Sequence, residues 1–112
     1  MDCLFCKLIA GVIPSKKVFE DDLCFAFEDM HPQAPTHVLI VPKKHIASLA
    51  QTTSEDHALM GTLLATAATL ARAAGLSGGY RTVINTGHDG GQTVDHLHLH
   101  LLGGRSMSWP PG

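Results

Sequence analysis

The spacing of apolar residues changes several times along the chain, and each spacing predicts a different element. "CLFCKLIA", residues 3–10, has the length and apolar content of a short helix, which Gly11 and Pro14 terminate. "KKVFE" (16–20) and "CFAFE" (24–28) read as two short strands joined through Asp21-Asp22, a pair typical of a tight turn. "HPQAP" (31–35) is a loop stiffened by two prolines, and the β-branched run "THVLIVP" (36–42) is a strand that ends at Pro42. From Ser54 the period becomes helical. Ser54 is the expected N-cap, Glu55 and Asp56 sit where the helix dipole favours negative charge, and Leu59, Leu63, Ala67 and Leu70 share one face. Gly75 is the expected residue just beyond the end, so this helix covers residues 54–74. "GGYRTVINTG" predicts a strand over 80–86, "HDGGQ" a glycine-rich loop, and "HLHLHLL" a last strand over 96–102; the tail "GGRSMSWPPG" is irregular.

These elements define an α+β fold: an antiparallel β-meander sheet with one short and one long helix packed on one face. A chain of 112 residues with no repeat or linker is expected to form a single domain over 1–112. Apolar residues make up 45% and charged residues 16%, which excludes a disordered or fibrous class. The net charge of -2 leaves no basic surplus for nucleic acid or an anionic membrane; the one basic stretch, "PKKH" (42–45), reads as a solvated corner. No run approaches the roughly 18 apolar residues of a membrane span. The first residues are acidic and interrupted by Lys7, unlike a secretory signal, and three cysteines are an odd number. A cytoplasmic protein without structural disulfides is expected.

The chemistry concentrates in "DHLHLHLL", Asp95–Leu102, because eight histidines occur in the chain and three of them fall here at alternate positions. In a strand, His96, His98 and His100 share one face and Leu97, Leu99 and Leu101 the other, facing the core. Neighbouring rings then stand about 7 Å apart and the outer two about 13 Å. Zinc needs nitrogens about 2 Å away, so two neighbours can share an ion but three cannot. A histidine-rich polar face has no folding advantage over threonine or valine. Spacing alone leaves two readings open: a His-x-His metal site completed from elsewhere, or a nucleophilic or acid–base histidine positioned by its neighbours. "GGQT" (90–93), just upstream, favours the second, since its glycines let backbone N–H groups approach an anion and Gln92 and Thr93 add polar side chains.

At these residues the chain resembles the histidine triad (HIT) superfamily, whose signature alternates histidine and apolar residues as His96–Leu102 does. The strings "PQAPTHVLIVPKKHI", "GGQTVDHLHLHLLGG" and "MSWPPG" are similar to its Hint branch, the purine nucleoside phosphoramidases, from about Phe5 to Gly112. The resemblance implies hydrolysis of adenosine 5′-phosphoramidates to a nucleotide and an amine, with no cofactor in the chemistry. It makes His98 the nucleophile on the α-phosphorus, His100 a donor to a phosphate oxygen, His37 a supporting fourth histidine, and Thr93 the hydroxyl near the leaving group. It assigns Asp29 to the ribose hydroxyls, Leu4, Phe5, Leu8, Phe27 and Met30 to the base, and Asn85, Gly91 and Gln92 to the phosphate side.

The same resemblance implies a homodimer with a joined sheet, in which Trp109 crosses to border the partner's site. Cys3, Cys6, His45 and His96 match the ligand set of family members that carry a structural zinc, and two thiolates with two imidazoles make a closed tetrahedral site. Asp95 departs from the branch, where an aromatic residue often precedes the triad. A purine-nucleotide-binding regulatory or scaffold protein and a metal-dependent hydrolase are the alternative classes that the residues leave open.

Overall fold

The computed structural model describes residues 2–112. Its elements are helix α1 (Leu4–Ile9), strands β1 (Lys17–Glu20), β2 (Cys24–Glu28) and β3 (Thr36–Pro42), helix α2 (His57–Ala73), and strands β4 (Tyr80–Val83) and β5 (Leu99–Gly103). They form one five-stranded sheet of order β1-β2-β3-β5-β4 in which every neighbouring pair is antiparallel. The α+β class and the antiparallel sheet are as expected. The meander runs only through β1–β3; α2 then carries the chain across, and β5 returns between β3 and β4. That insertion puts the histidine strand at the interior of the sheet.

The helices lie on opposite faces, a correction to the one-face expectation. On one face Leu63, Ala67, Leu70 and Ala71 of α2 pack with Cys24, Ala26, Val38, Ile40, Leu97, Leu99 and Leu101. On the other, Phe5 and Leu8 of α1 cover Phe25, Phe27, Leu39 and Val41. The short helix carries buried apolar residues of its own, and a central strand such as β3 has two apolar faces that both need covering. The near-continuous "HVLIV" run already reflected this.

Several boundaries moved for local reasons. A 3-10 turn at Ser54–Asp56 precedes α2, and Thr53, not Ser54, caps it: the Thr53 side chain accepts from the Glu55 N–H while Asp56 accepts from the Thr53 N–H. Asp56 is buried and also ion-paired with Lys44 at 2.7 Å. Gly75 does take the left-handed conformation beyond the helix, with φ 73°. β4 ends at Val83 instead of residue 86, and β5 begins at Leu99 instead of residue 96. His96 and His98 therefore precede the ladder, yet Leu97, Leu99 and Leu101 are each at most 1% exposed, so the alternation of faces extends beyond the hydrogen-bonded strand.

Leu63 is fully buried where α2 meets the sheet. Leu63→Ala is expected to lower unfolding free energy by about 2–5 kcal/mol through lost burial and a residual cavity, measured by urea denaturation.

Candidate active site

The face of β3 that carries Leu39 and Val41 also carries His37, and β5 pairs beside it with His37 opposite Leu102 and Leu39 opposite His100. Leu97, Leu99 and Leu101 sink into the α2 side, and the histidines emerge on the α1 side. His98 is 4% exposed, with Phe5 edge-on to its ring at 5.0 Å and His100 at 5.0 Å.

The hydrogen bonds assign the protons. His98 Nδ1 lies 2.7 Å from the His96 carbonyl, which only accepts, so Nδ1 carries the proton and Nε2 keeps a free lone pair. The Gln33 backbone N–H donates to His37 Nδ1 at 3.0 Å, so in the neutral ring the proton is on Nε2. That Nε2 lies 2.9 Å from His100 Nδ1 and 3.4 Å from Asp29 Oδ2. A proton there satisfies both acceptors, whereas a bare lone pair would face a carboxylate. His100 then accepts at Nδ1 and holds its own proton on Nε2. Burial, with His98 and His37 adding to it, pushes the His100 pKa down to about 4, and burial lowers that of His37, so both rings are neutral near pH 7. The site thus sets the bare Nε2 of His98 beside an uncharged N–H donor, His100.

A cavity of about 450 Å³ opens next to His37, within the range of small-molecule sites. Leu8, Phe27, Asp29, Met30 and His37 line it, together with Pro14, Ser15 and Lys16, to which the sequence assigned no place in the site. Asp29 Oδ1 accepts from the His31 N–H, which fixes the carboxylate at the cavity wall. Leu4 and Phe5 do not line this cavity: Leu4 faces outward, and Phe5 is a buried wedge between Phe27 and the rings of His96 and His98. Met30 is 87% exposed, a rim residue and not a wall.

The 87–93 loop also differs from expectation. The Gly91 N–H donates to the His88 carbonyl, Asn85 donates to the Gly90 carbonyl, and Gln92 donates to the carbonyls of Ala47 and Val94 while accepting from the Gly87 N–H. Gly91 and Gln92 are spent on holding the loop, since a turn this tight has to satisfy its own backbone. Gly91 takes φ 78°, which suits glycine. Thr93 and Asp95 are exposed. Trp109 is 82% exposed and belongs to neither core cluster.

Cys3, Cys6, His45 and His96 converge, although the sequence separates them by up to 93 positions. His96 Nδ1 lies 3.2 Å from Cys3 Sγ, 3.6 Å from Cys6 Sγ and 3.1 Å from His45 Nδ1, and all four ligand atoms fall within 4.8 Å of one another. Tetrahedral zinc sets its ligand atoms about 3.3–3.8 Å apart, so the donors fit in type and spacing. His96 Nε2 donates to the Pro42 carbonyl at 2.9 Å, leaving Nδ1 bare toward the cluster. A second ligand-type group, Asp29, His37 and His100, is the hydrogen-bonded relay described above. Among the described residues, neither group contains His98.

This arrangement defines a class. The HIT domain model matches residues 10–107, and the chain belongs to the HIT family. A HIT-like protein of Synechococcus elongatus is 59% identical over 111 residues, covering 99% of this chain and 97% of its own. A HIT family hydrolase from Legionella pneumophila superposes with a TM-score of 0.98 at 54% identity, covering 99% of this chain and 100% of its own. A histidine triad nucleotide-binding protein from Candida albicans (TM-score 0.83, 33% identity) covers 99% of this chain and 85% of its own. A zinc-bound histidine triad protein from Mycobacterium smegmatis (TM-score 0.81, 35% identity) covers 94% and 76%. Among the described residues no helix is long and apolar enough to cross a membrane.

The lowered His100 pKa makes a stability prediction. Between about pH 6.5 and about 4 the unfolded chain binds a proton at His100 that the native protein does not, so native stability is full above that window and falls as pH drops through it. His37 acts in the same direction. The urea midpoint is expected to decline from pH 6.5 to 4, and His100→Asn to flatten that decline.

Proposed function

We propose that this HIT protein hydrolyses nucleoside 5′-phosphoramidates, purine ones above all, through a covalent nucleotidyl-histidine. The observation that carries the reading is the His98 ring, tethered at Nδ1 to the His96 carbonyl with Nε2 free beside His100. The Nε2 lone pair bonds to the α-phosphorus as the phosphorus–amine bond breaks, and the amine takes a proton from solvent as it leaves. Water then attacks phosphorus and returns a proton to solvent, the phosphorus–Nε2 pair returns to His98, and the nucleotide departs. Splitting one displacement into two suits imidazole, which is both a good nucleophile and a good leaving group. The His100 Nε2–H serves a non-bridging oxygen, the electrostatic support that phosphoryl transfer chiefly needs. The chemistry itself requires no cofactor.

The cavity supports a nucleoside. Asp29 offers an acceptor to the ribose hydroxyls, and Leu8, Phe27 and the rim residue Met30 offer apolar surface to the base. Phe5 serves indirectly, by bracing the His98 ring, whereas the exposed Leu4 has no contact among the described residues that would give it a part. Asn85, Gly91 and Gln92 shape the loop that carries the Thr93 hydroxyl toward the leaving group. The exposed Trp109 fits a homodimer in which the tail reaches the partner's site. Cys3, Cys6, His45 and His96 would hold a zinc ion, which supplies cross-linking between α1 and the segment before β5 and no reaction chemistry. Three free cysteines fit a reducing compartment, and so a cytoplasmic enzyme.

Protein quenched with an adenosine phosphoramidate is expected to carry a nucleotidyl adduct by mass spectrometry. His98→Ala abolishes the adduct, and His100→Ala slows turnover about 100-fold. Tight nucleotide binding without any adduct would replace the enzyme with a sensor. Chelation or Cys6→Ala is expected to remove zinc by elemental analysis and lower the melting temperature, while folded protein still forms the adduct. Loss of the adduct in chelated, folded protein would point instead to a metal-dependent hydrolase.

A further inference from the structure

The chain leaving β5 returns to the loop that precedes β3. Arg105 Nε donates to the Gln33 carbonyl at 2.9 Å, and its Nη1 to the Ser106 carbonyl at 3.1 Å. Gly104, at φ 92°, passes so close to the loop that an added Cβ would stand 2.9 Å from Pro35 Cβ. The loop is braced internally as well: the Gln33 side chain donates to the His31 carbonyl, and the Asp29 N–H to the His37 carbonyl. It reaches the reacting groups through Asp29 Oδ2, 3.4 Å from His37 Nε2, and through the Gln33 N–H on His37 Nδ1, on the residue whose carbonyl Arg105 grips.

We propose that Arg105 is a positioning residue for the proposed reaction, holding the Gln33 peptide so that His37 and His100 keep the tautomers that aim an N–H at the substrate phosphate. The proposal rests on the phosphoramidase reading for its kinetic consequence and on the hydrogen-bond chain alone for its tautomers. If the Gln33 N–H withdraws, His37 Nδ1 is free to carry the proton. His37 Nε2 then becomes an acceptor, the His100 proton moves from Nε2 to Nδ1, and His100 presents a bare Nε2 lone pair to an anionic oxygen. Attraction at the phosphate becomes repulsion without any change in the catalytic residues. A guanidinium suits this task because its planar fork spans two carbonyls at once and it is never deprotonated.

The test combines tautomers with kinetics. Two-bond 1H–15N correlation spectra at neutral pH are expected to show His37 and His100 of the native protein as Nε2–H tautomers. In Arg105→Met, and in Arg105→Ala as a second truncation, the two rings are expected to show mixed tautomers. With an adenosine phosphoramidate, both truncations lower kcat about tenfold with KM within about twofold, and Arg105→Lys, which keeps a donor, recovers most of the loss. Unchanged tautomers in both truncations overturn the proposal, as does a rate loss that Arg105→Lys shares in full. The spectra need no turnover, so absence of phosphoramidase activity alongside shifted tautomers would refute the reaction and leave the role of Arg105 standing.

Discussion

Burial of three alternating leucines organises this protein. Leu97, Leu99 and Leu101 lie against α2 with Ile40 and Leu63, and period-two geometry then leaves His96, His98 and His100 no choice of face. A register slip of one residue would send imidazoles into an apolar core and leucines toward the face that carries His37. The apolar face therefore stabilises the fold and specifies the chemistry together. Placing β5 between β3 and β4, instead of at an edge, gives the register a hydrogen-bonded ladder on both sides.

Three histidines on one face have three different fates because each finds a different hydrogen-bond partner. His96 donates to the Pro42 carbonyl and turns Nδ1 toward two thiols and His45. His98 donates to the His96 carbonyl and keeps Nε2 free. His100 accepts from His37, so its own N–H points the other way. One ring becomes a ligand-type group, one a nucleophile-type group and one a donor. The His96 peptide joins the first two, since its side chain belongs to the cysteine cluster and its carbonyl holds the His98 ring. Phe5, between Cys3 and Cys6 in sequence, makes a second link by packing on both rings.

Burial in this site acts on charge as well as shape. The desolvated rings of His37 and His100 stay neutral near pH 7, so the pair beside His98 acts through its N–H groups and not through net positive charge. Asp29 opposes that effect at His37 only in part, so its carboxylate orients a proton without creating an imidazolium. The prolines of the 31–35 loop and the left-handed Gly104 fix the approach of the segments that carry these partners.

Much of this was legible in the residues themselves. Period two in "HLHLHLL" identified the core face and the histidine face, helical spacing from Leu59 to Leu70 identified α2, and Gly75 marked its end, because local periodicity and backbone preference are properties of neighbouring residues. The family resemblance supplied the grouping of Cys3, Cys6, His45 and His96, which spacing alone does not contain. The tertiary structure decided that the helices take opposite faces, that Thr53 caps a 3-10 turn ahead of the long helix, that Gln92 and Gly91 brace a loop, and that Leu4 lies outside the cavity lining. It also decided which nitrogen of each histidine carries the proton, through the carbonyls of Pro42 and His96 and the N–H of Gln33. Those partners are backbone groups, identical at almost every position of a sequence, so only the path of the folded chain determines where each one points.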